Sequence, residues 1–201
     1  MTIDYSRAIK RILERLDEKG ERLSEFSALD FFARTGEWQT RHYASLVKKI
    51  HAWEIDSKFE EKLREVLPSH AHVVIGDSFR LARQTNEKFD LIVLDNPMGC
   101  YDKYCEHFEA LDVVLGLLAS EGIVVFNVKT RPFNYEDKHE WRARRDNFYG
   151  KESSNLSEDF VISFYRDYLA ARGWETQYSF LELRPQETGL YAMTSKLRRL
   201  T

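Results

Sequence analysis

Cysteine, long apolar runs and an excess of either charge are all scarce in this chain. Cys100 and Cys105 are the only cysteines among 201 residues. Their spacing is neither a CxxC pair nor part of a four-ligand zinc set, so reduced, partly buried thiols are the expectation. No apolar run approaches the ~18–20 residues that cross a bilayer, and the opening MTIDYSRAIK lacks a signal-peptide core. The expected location is therefore cytoplasmic. Thirty basic and 33 acidic side chains leave a net charge of −3. That balance gives no overall pull toward nucleic acid and leaves only a local basic face as a route to it. The sequence holds no GxSxG elbow and no Walker loop, which argues against hydrolases and P-loop enzymes. It also has no internal repeat, low-complexity tract or second domain, so residues 1–201 read as one domain.

What is present centres on residues 28–56. The run Ala28-Leu29-Asp30-Phe31-Phe32 reads as a strand, Ala33-Arg34-Thr35-Gly36 as its turn, and Trp38, Tyr43, Leu46 and Val47 recur at roughly helical spacing. Ile50 to Ile55 follows as a second strand, ending in Glu54 and Asp56. Acids at the ends of two successive strands, in a unit of about thirty residues, are the geometry of a nucleotide site. The loop amides can meet an anion, and a carboxylate on the second strand can accept the two hydroxyls of a ribose.

On either side the pattern continues. Ile3, Ala8, Ile9, Ile12, Leu13 and Leu16 share one face of a leading helix within residues 1–20, expected to pack on the sheet edge. Ser57 is read as the N-cap of a helix over 58–67, Ala71 to Ile75 as the third strand, and 78–85 as a short helix. Phe89 to Asp95 is a near-continuous apolar run, as a buried parallel strand requires. A helix over 105–118, a strand over 123–128, a helix over 156–172, and strands over 174–183 and 189–194 complete the chain. Alternating strands and helices that close on a strand pair imply an α/β, Rossmann-like, mostly parallel sheet of seven strands, the last inserted antiparallel beside the fifth. Ligands of such sheets bind beyond the C-terminal strand ends, where Asp30, Glu54, Asp77 and Asp95 fall.

The strand order, the strand-end acids and the closing hairpin resemble a class I S-adenosylmethionine-dependent methyltransferase over residues 28–194. Asp30, Thr35-Gly36 and Ala52-Trp53-Glu54-Ile55-Asp56 are locally similar to methyltransferases that modify adenine in ribosomal RNA. The resemblance implies S-adenosylmethionine as cofactor and assigns roles by position. Asp30 would organise its methionine end, and Glu54, with Asp56 as second choice, would take the ribose hydroxyls. Asp77 would accept the adenine amino group, with the Ser78 amide nearby. Asp95-Asn96-Pro97, followed by Met98-Gly99, resembles the turn with which amino-group methyltransferases aim a target nitrogen at the methyl group; Tyr101 or Tyr104 would stand in for the stacking aromatic of that turn.

One departure is plain. The family alternates glycines after the first acid, whereas Phe32 and Arg34 occupy two of those positions here and only Gly36 remains. Arg34 either places its guanidinium against the cofactor carboxylate or crowds the pocket. The first outcome suits an enzyme acting on a nitrogen nucleophile of a nucleic acid, protein or small molecule. The second suits a non-catalytic scaffold of the same fold.

Two other features need an account. His70 and His72 share a strand face and read as core or edge histidines, so no metal is expected. Residues 129–156 are long for a connection, and they interleave Trp141, Phe148 and Tyr149 with Arg142, Arg144 and Arg145. The expectation is an insertion or lid, mobile without substrate, that could contact nucleic acid.

Overall fold

The computed structural model describes residues 4–95, 107–132, 135–185 and 189–200. Asn96, Pro97, both cysteines, Tyr101 and Tyr104 lie outside the described residues.

The chain opens with helix α1 (Arg7–Glu18), which buries Ala8, Ile9, Ile12 and Leu16. Strand β1 (Ser27–Asp30), a single helical turn α2 (Thr40–Tyr43) and strand β2 (Lys49–Glu54) follow. Helix α3 (Glu60–Val66), β3 (His72–Ile75), α4 (Ser78–Gln84) and β4 (Phe89–Leu94) come next. The remainder is α5 (Ala110–Leu117), β5 (Leu118–Lys129), α6 (His139–Tyr149), α7 (Glu158–Ala170), β6 (Trp174–Leu183) and β7 (Leu190–Arg199).

The seven strands lie in the order β3-β2-β1-β4-β5-β7-β6. The first five pair in parallel, and β7 runs antiparallel between β5 and β6. Side chains alternate across this sheet and feed two cores. Leu29, Ile92, Leu94, Val124 and Phe126 meet α5 and α7 on one face. Ala28, Leu91, Val93, Ile123 and Val125 meet α1 and α3 on the other. That two-sided burial is why the middles of the central strands, Leu91–Leu94 and Ile123–Phe126, are continuously apolar, each fully buried Leu, Ile, Val or Phe contributing about 1.5–3 kcal/mol.

Two local expectations are corrected. The helix drawn through Trp38, Tyr43, Leu46 and Val47 shrinks to α2, because Trp38 and Leu46 are 41% and 46% exposed while Tyr43 and Val47 are buried. The cap before α3 is Asp56 rather than Ser57. The Asp56 carboxylate accepts the Lys58 amide at 3.1 Å and opens a 3-10 turn over Ser57–Phe59.

Among the described residues of the stretch 129–156, α6 packs one face into the core. Helix α6 buries Trp141, Arg145 and Tyr149, and Phe148 packs on Phe108 with ring centroids 4.2 Å apart. Arg145 is 0% exposed and donates to the Ser153 carbonyl at 3.2 Å and to the Lys129 carbonyl. Arg142 pairs with Glu136 at 3.1 Å, and Arg144 pairs with Glu109. The three aromatics are therefore packing residues and Arg145 an internal cross-link, not a surface for bases and phosphates. Sequence alone could not separate the two, because an aromatic–arginine mixture at helical spacing suits either.

Beside α6, a buried polar chain crosses this core. His107 Nδ1 donates to the Asn127 carbonyl at 2.9 Å, Tyr165 Oη donates to His107 Nε2 at 2.8 Å, and Tyr149 Oη lies 3.1 Å from Tyr165 Oη. Burial pushes the His107 imidazole down to about 3 from its ordinary 6.5. The unfolded chain then takes up this proton first as pH falls, so stability is lost between pH 6.5 and about 3. Urea denaturation should show His107→Gln less stable than wild type at pH 7. Its deficit should narrow toward pH 4.5 by about 1.4 kcal/mol per pH unit. A deficit that stays constant with pH would refute the buried neutral imidazole.

Candidate functional site

At the C-terminal ends of β1, β2 and β3 the chain encloses a cavity of about 540 Å³, lined by Phe32, Arg34, Glu54, Ile55, Asp56, Lys58, Phe59, Asp77, Ser78 and Phe79. Three successive strand exits supply this wall. Each turn exposes the backbone and first side chains of the following segment to the same space.

Glu54 joins two of these exits. Its Oε2 accepts the Arg34 amide at 2.7 Å and its Oε1 accepts the Asp56 amide at 2.8 Å. Arg34 is the only described non-glycine residue with positive φ, at 48°. An arginine thus adopts the backbone conformation that a glycine takes freely, at a cost of about 1 kcal/mol. Its guanidinium lies 4.9 Å from the Trp38 ring centroid and 5.6 Å from that of Phe59, with no ion pair among the described residues. It forms part of the wall and leaves the cavity open.

Gly36, at φ 71°, turns the chain toward α3, where an added Cβ would lie 3.2 Å from Leu63 and 3.3 Å from Leu67. It is absent from the cavity lining; helix packing requires this glycine. Phe32 lines the cavity, its ring 6.3 Å from Phe79. Ser78 Oγ donates to the Phe31 carbonyl at 2.6 Å and so ties α4 to the end of β1.

The four strand-end acids differ. Asp30 is buried behind the wall. Its Oδ2 accepts from Thr40 Oγ1 at 2.5 Å and from Tyr43 Oη at 3.0 Å, and its Oδ1 accepts the Phe32 amide at 3.3 Å. Burial raises this carboxyl to about 7, outweighing the lowering by those hydrogen bonds. A direct contact between Asp30 and a ligand is thereby replaced by support for the loop. Asp77 caps α4 through Oδ1, which accepts the Phe79 amide at 2.8 Å and the Arg80 amide at 3.3 Å, leaving Oδ2 beside the cavity. Asp56 is engaged by the Lys58 amide and ammonium. Asp95 lies in a separate group, its Oδ1 2.5 Å from Arg184 Nη1 and 3.2 Å from Asn127 Nδ2.

Four lining residues escaped the sequence reading: Ile55, Lys58, Phe59 and Phe79. Ile55 carried a signal, since an isoleucine between two acids at a strand exit has no core to enter, and it is 58% exposed. Arg184 carried none, because its partner Asp95 is 89 positions away. His72 meets His51 on the neighbouring strand, Nδ1 to Nδ1 at 3.3 Å, and no cluster of three or more metal-ligating side chains occurs among the described residues. No described helix is long and apolar enough to cross a membrane.

No family model matches the sequence, and no curated protein matches it. Solved structures do. The N-methyltransferase NodS of Bradyrhizobium japonicum superposes with a TM-score of 0.60 at 16% identity, over 98% of this chain and 97% of its own. The magnesium protoporphyrin IX methyltransferase ChlM of Synechocystis, with bound SAH, gives 0.58 at 14% over 98% and 84%. The tRNA m1G37 methyltransferase of M. jannaschii gives 0.56 at 14% over 94% and 49%. At such identities the likeness concerns architecture: this chain has the Rossmann-like class I methyltransferase fold.

Proposed function

We propose that the chain transfers a methyl group from S-adenosylmethionine to a nitrogen nucleophile. The observation that carries this reading is the open cavity of about 540 Å³ at the strand ends, within the ~300–1,000 Å³ range of small-ligand sites, in a chain with the methyltransferase fold.

Its lining suits the donor. Each Glu54 oxygen already takes one backbone amide and has a lone pair left for a ribose hydroxyl. Ile55 and Phe79 offer apolar faces to an adenine, and Asp77 Oδ2 an acceptor for its amino group. Asp56 ranks below Glu54 for the ribose because Lys58 holds it. The Arg34 guanidinium, with aromatic neighbours and no ion pair among the described residues, suits the donor's carboxylate. When bound, the donor supplies a methyl group on a sulfonium. The chain's part is to orient the reactants, the donor in the cavity and the acceptor by Asp95 at the end of β4; Asn96 and Pro97, which follow it in sequence, lie outside the described residues. An N-methyltransferase and a tRNA m1G37 methyltransferase among the structural neighbours support nitrogen as the acceptor atom. The scaffold alternative required a cleft plugged by Arg34, and the open cavity disfavours it.

Calorimetric titration with S-adenosylmethionine should give a single site. Incubation with its methyl-tritiated form should then label one of three fractions: total RNA, total protein or small-molecule extract. No heat at millimolar donor would sink the proposal.

Two substitutions refine it. Glu54→Ala should weaken donor binding by about 1.5–3 kcal/mol, the range for hydrogen bonds to a charged group. Unchanged affinity would remove Glu54 from the ribose and make Asp56 the next candidate.

Arg34→Gly relieves a φ of 48° while losing two cation–π contacts. These effects are each about 1 kcal/mol and opposite in sign, so thermal stability should change little. Donor affinity should fall even though the family's glycine is restored. A rise would show that the side chain obstructs the donor.

A further inference from the structure

Asp95 ends the fourth strand where a methyl acceptor would approach, and it does not stand there alone. Arg184, just beyond β6, places Nη1 2.5 Å from Asp95 Oδ1 and 2.6 Å from Asn127 Oδ1. Asn127, on β5, closes the ring by donating Nδ2 to the same Asp95 oxygen at 3.2 Å. The ion pair is withdrawn from water, its two side chains 5% and 16% exposed. Both donors converge on Oδ1, and Oδ2 has no hydrogen bond among the described residues. The Asp95 charge also adds to the rise that burial imposes on the Asp30 carboxyl.

From this geometry we infer that Arg184 is a positioning residue for methyl transfer, one that turns Asp95 Oδ2 toward the acceptor nitrogen. The inference rests on the proposed function and deepens it. The acceptor's N–H donates to Oδ2, which fixes the direction of the nitrogen lone pair. That lone pair forms the new N–C bond while the C–S bond breaks and its electrons return to sulfur, leaving S-adenosylhomocysteine. The nitrogen, now cationic, releases its proton to water. Asp95 orients the acceptor throughout. A single guanidinium nitrogen, Nη1, bridges the Asp95 and Asn127 side-chain oxygens.

The test compares wild type, Arg184→Met, Arg184→Lys and the charge-free double variant Arg184→Met/Asp95→Asn. Donor affinity is measured by calorimetry with S-adenosylmethionine. Turnover is measured as tritium transfer into total RNA, total protein and small-molecule extract at saturating donor. Arg184→Met should keep donor affinity within about threefold and lose about 100-fold in turnover, the scale of a misplaced reacting group. Arg184→Lys should recover part of that loss, and the double variant should fold with donor affinity intact but stay slow. Should Arg184→Met fail to fold, the lysine and double variants carry the comparison. Should no fraction accept label, the methyl-carbon resonance of bound S-[methyl-13C]adenosylmethionine is the readout. It should move in Arg184→Met and in the double variant. Wild-type turnover, or an unmoved resonance, in variants that bind donor would overturn the role of Arg184 alone. Failure of the wild type to bind donor would instead overturn the functional reading beneath it.

Discussion

Where β1 and β2 leave the sheet, a single carboxylate holds their diverging chains together. Glu54 takes the Arg34 amide on one oxygen and the Asp56 amide on the other, at 2.7 and 2.8 Å. A left-handed backbone at a non-glycine residue persists only where its surroundings over-determine it. Here the determinants are the clamp, the Ala33 amide on the Trp53 carbonyl at 2.9 Å and the Gly36 amide on the Ala33 carbonyl at 2.8 Å. Hydrogen bonds to a charged group, at about 1.5–3 kcal/mol, outweigh a strain of about 1 kcal/mol. The arginine thus holds a left-handed backbone conformation of the kind that a glycine adopts freely. Loss of Glu54 would release the loop, the cavity wall and the start of the 3-10 turn together.

The same clamp shows why acids at equivalent positions serve different ends. Each of the four closes a strand or begins the turn after it, yet burial and donors separate them. Asp30 is surrounded by hydroxyls and packed behind the wall, where desolvation favours its neutral form. Glu54 meets amides and the cavity at once. Asp77 spends one oxygen on a helix start and keeps the other. Asp95 faces a guanidinium. Of the four, Glu54 and Asp77 combine an anchored carboxylate with a place in the cavity lining, which is why the proposed donor site is built on them.

The sheet and its order were legible in the sequence, because runs such as Phe89–Leu94 bury both faces and leave no alternative to a central strand. The cavity was legible in outline for a related reason: β1, β2 and β3 each end in a turn with an acid, so position in sequence sets position in space. Legibility failed where local pattern and long-range packing compete. Trp38 and Leu46 keep helical spacing with Tyr43 and Val47, yet only the latter pair finds a core. Gly36 reads as a cofactor glycine, but Leu63 and Leu67 press on it from α3. Phe148 and Tyr149 look like a nucleic-acid surface until Phe108, Phe164 and Tyr165 pack beside them.

The two halves of the site differ in how they are encoded. The proposed donor side comes from one stretch, residues 32–79, whose contacts join successive strand exits. The proposed acceptor side joins Asp95, just past β4, and Asn127 of β5 to Arg184, which arrives only after β6 has been laid at the sheet edge. β6 is reached from β5 through α7, and both strands run parallel to β4, so the exit of β6 opens on the same edge of the sheet as Asp95. β7 then returns antiparallel between β5 and β6. The helical crossover is therefore what brings a cation to the end of β4, beside the acid there.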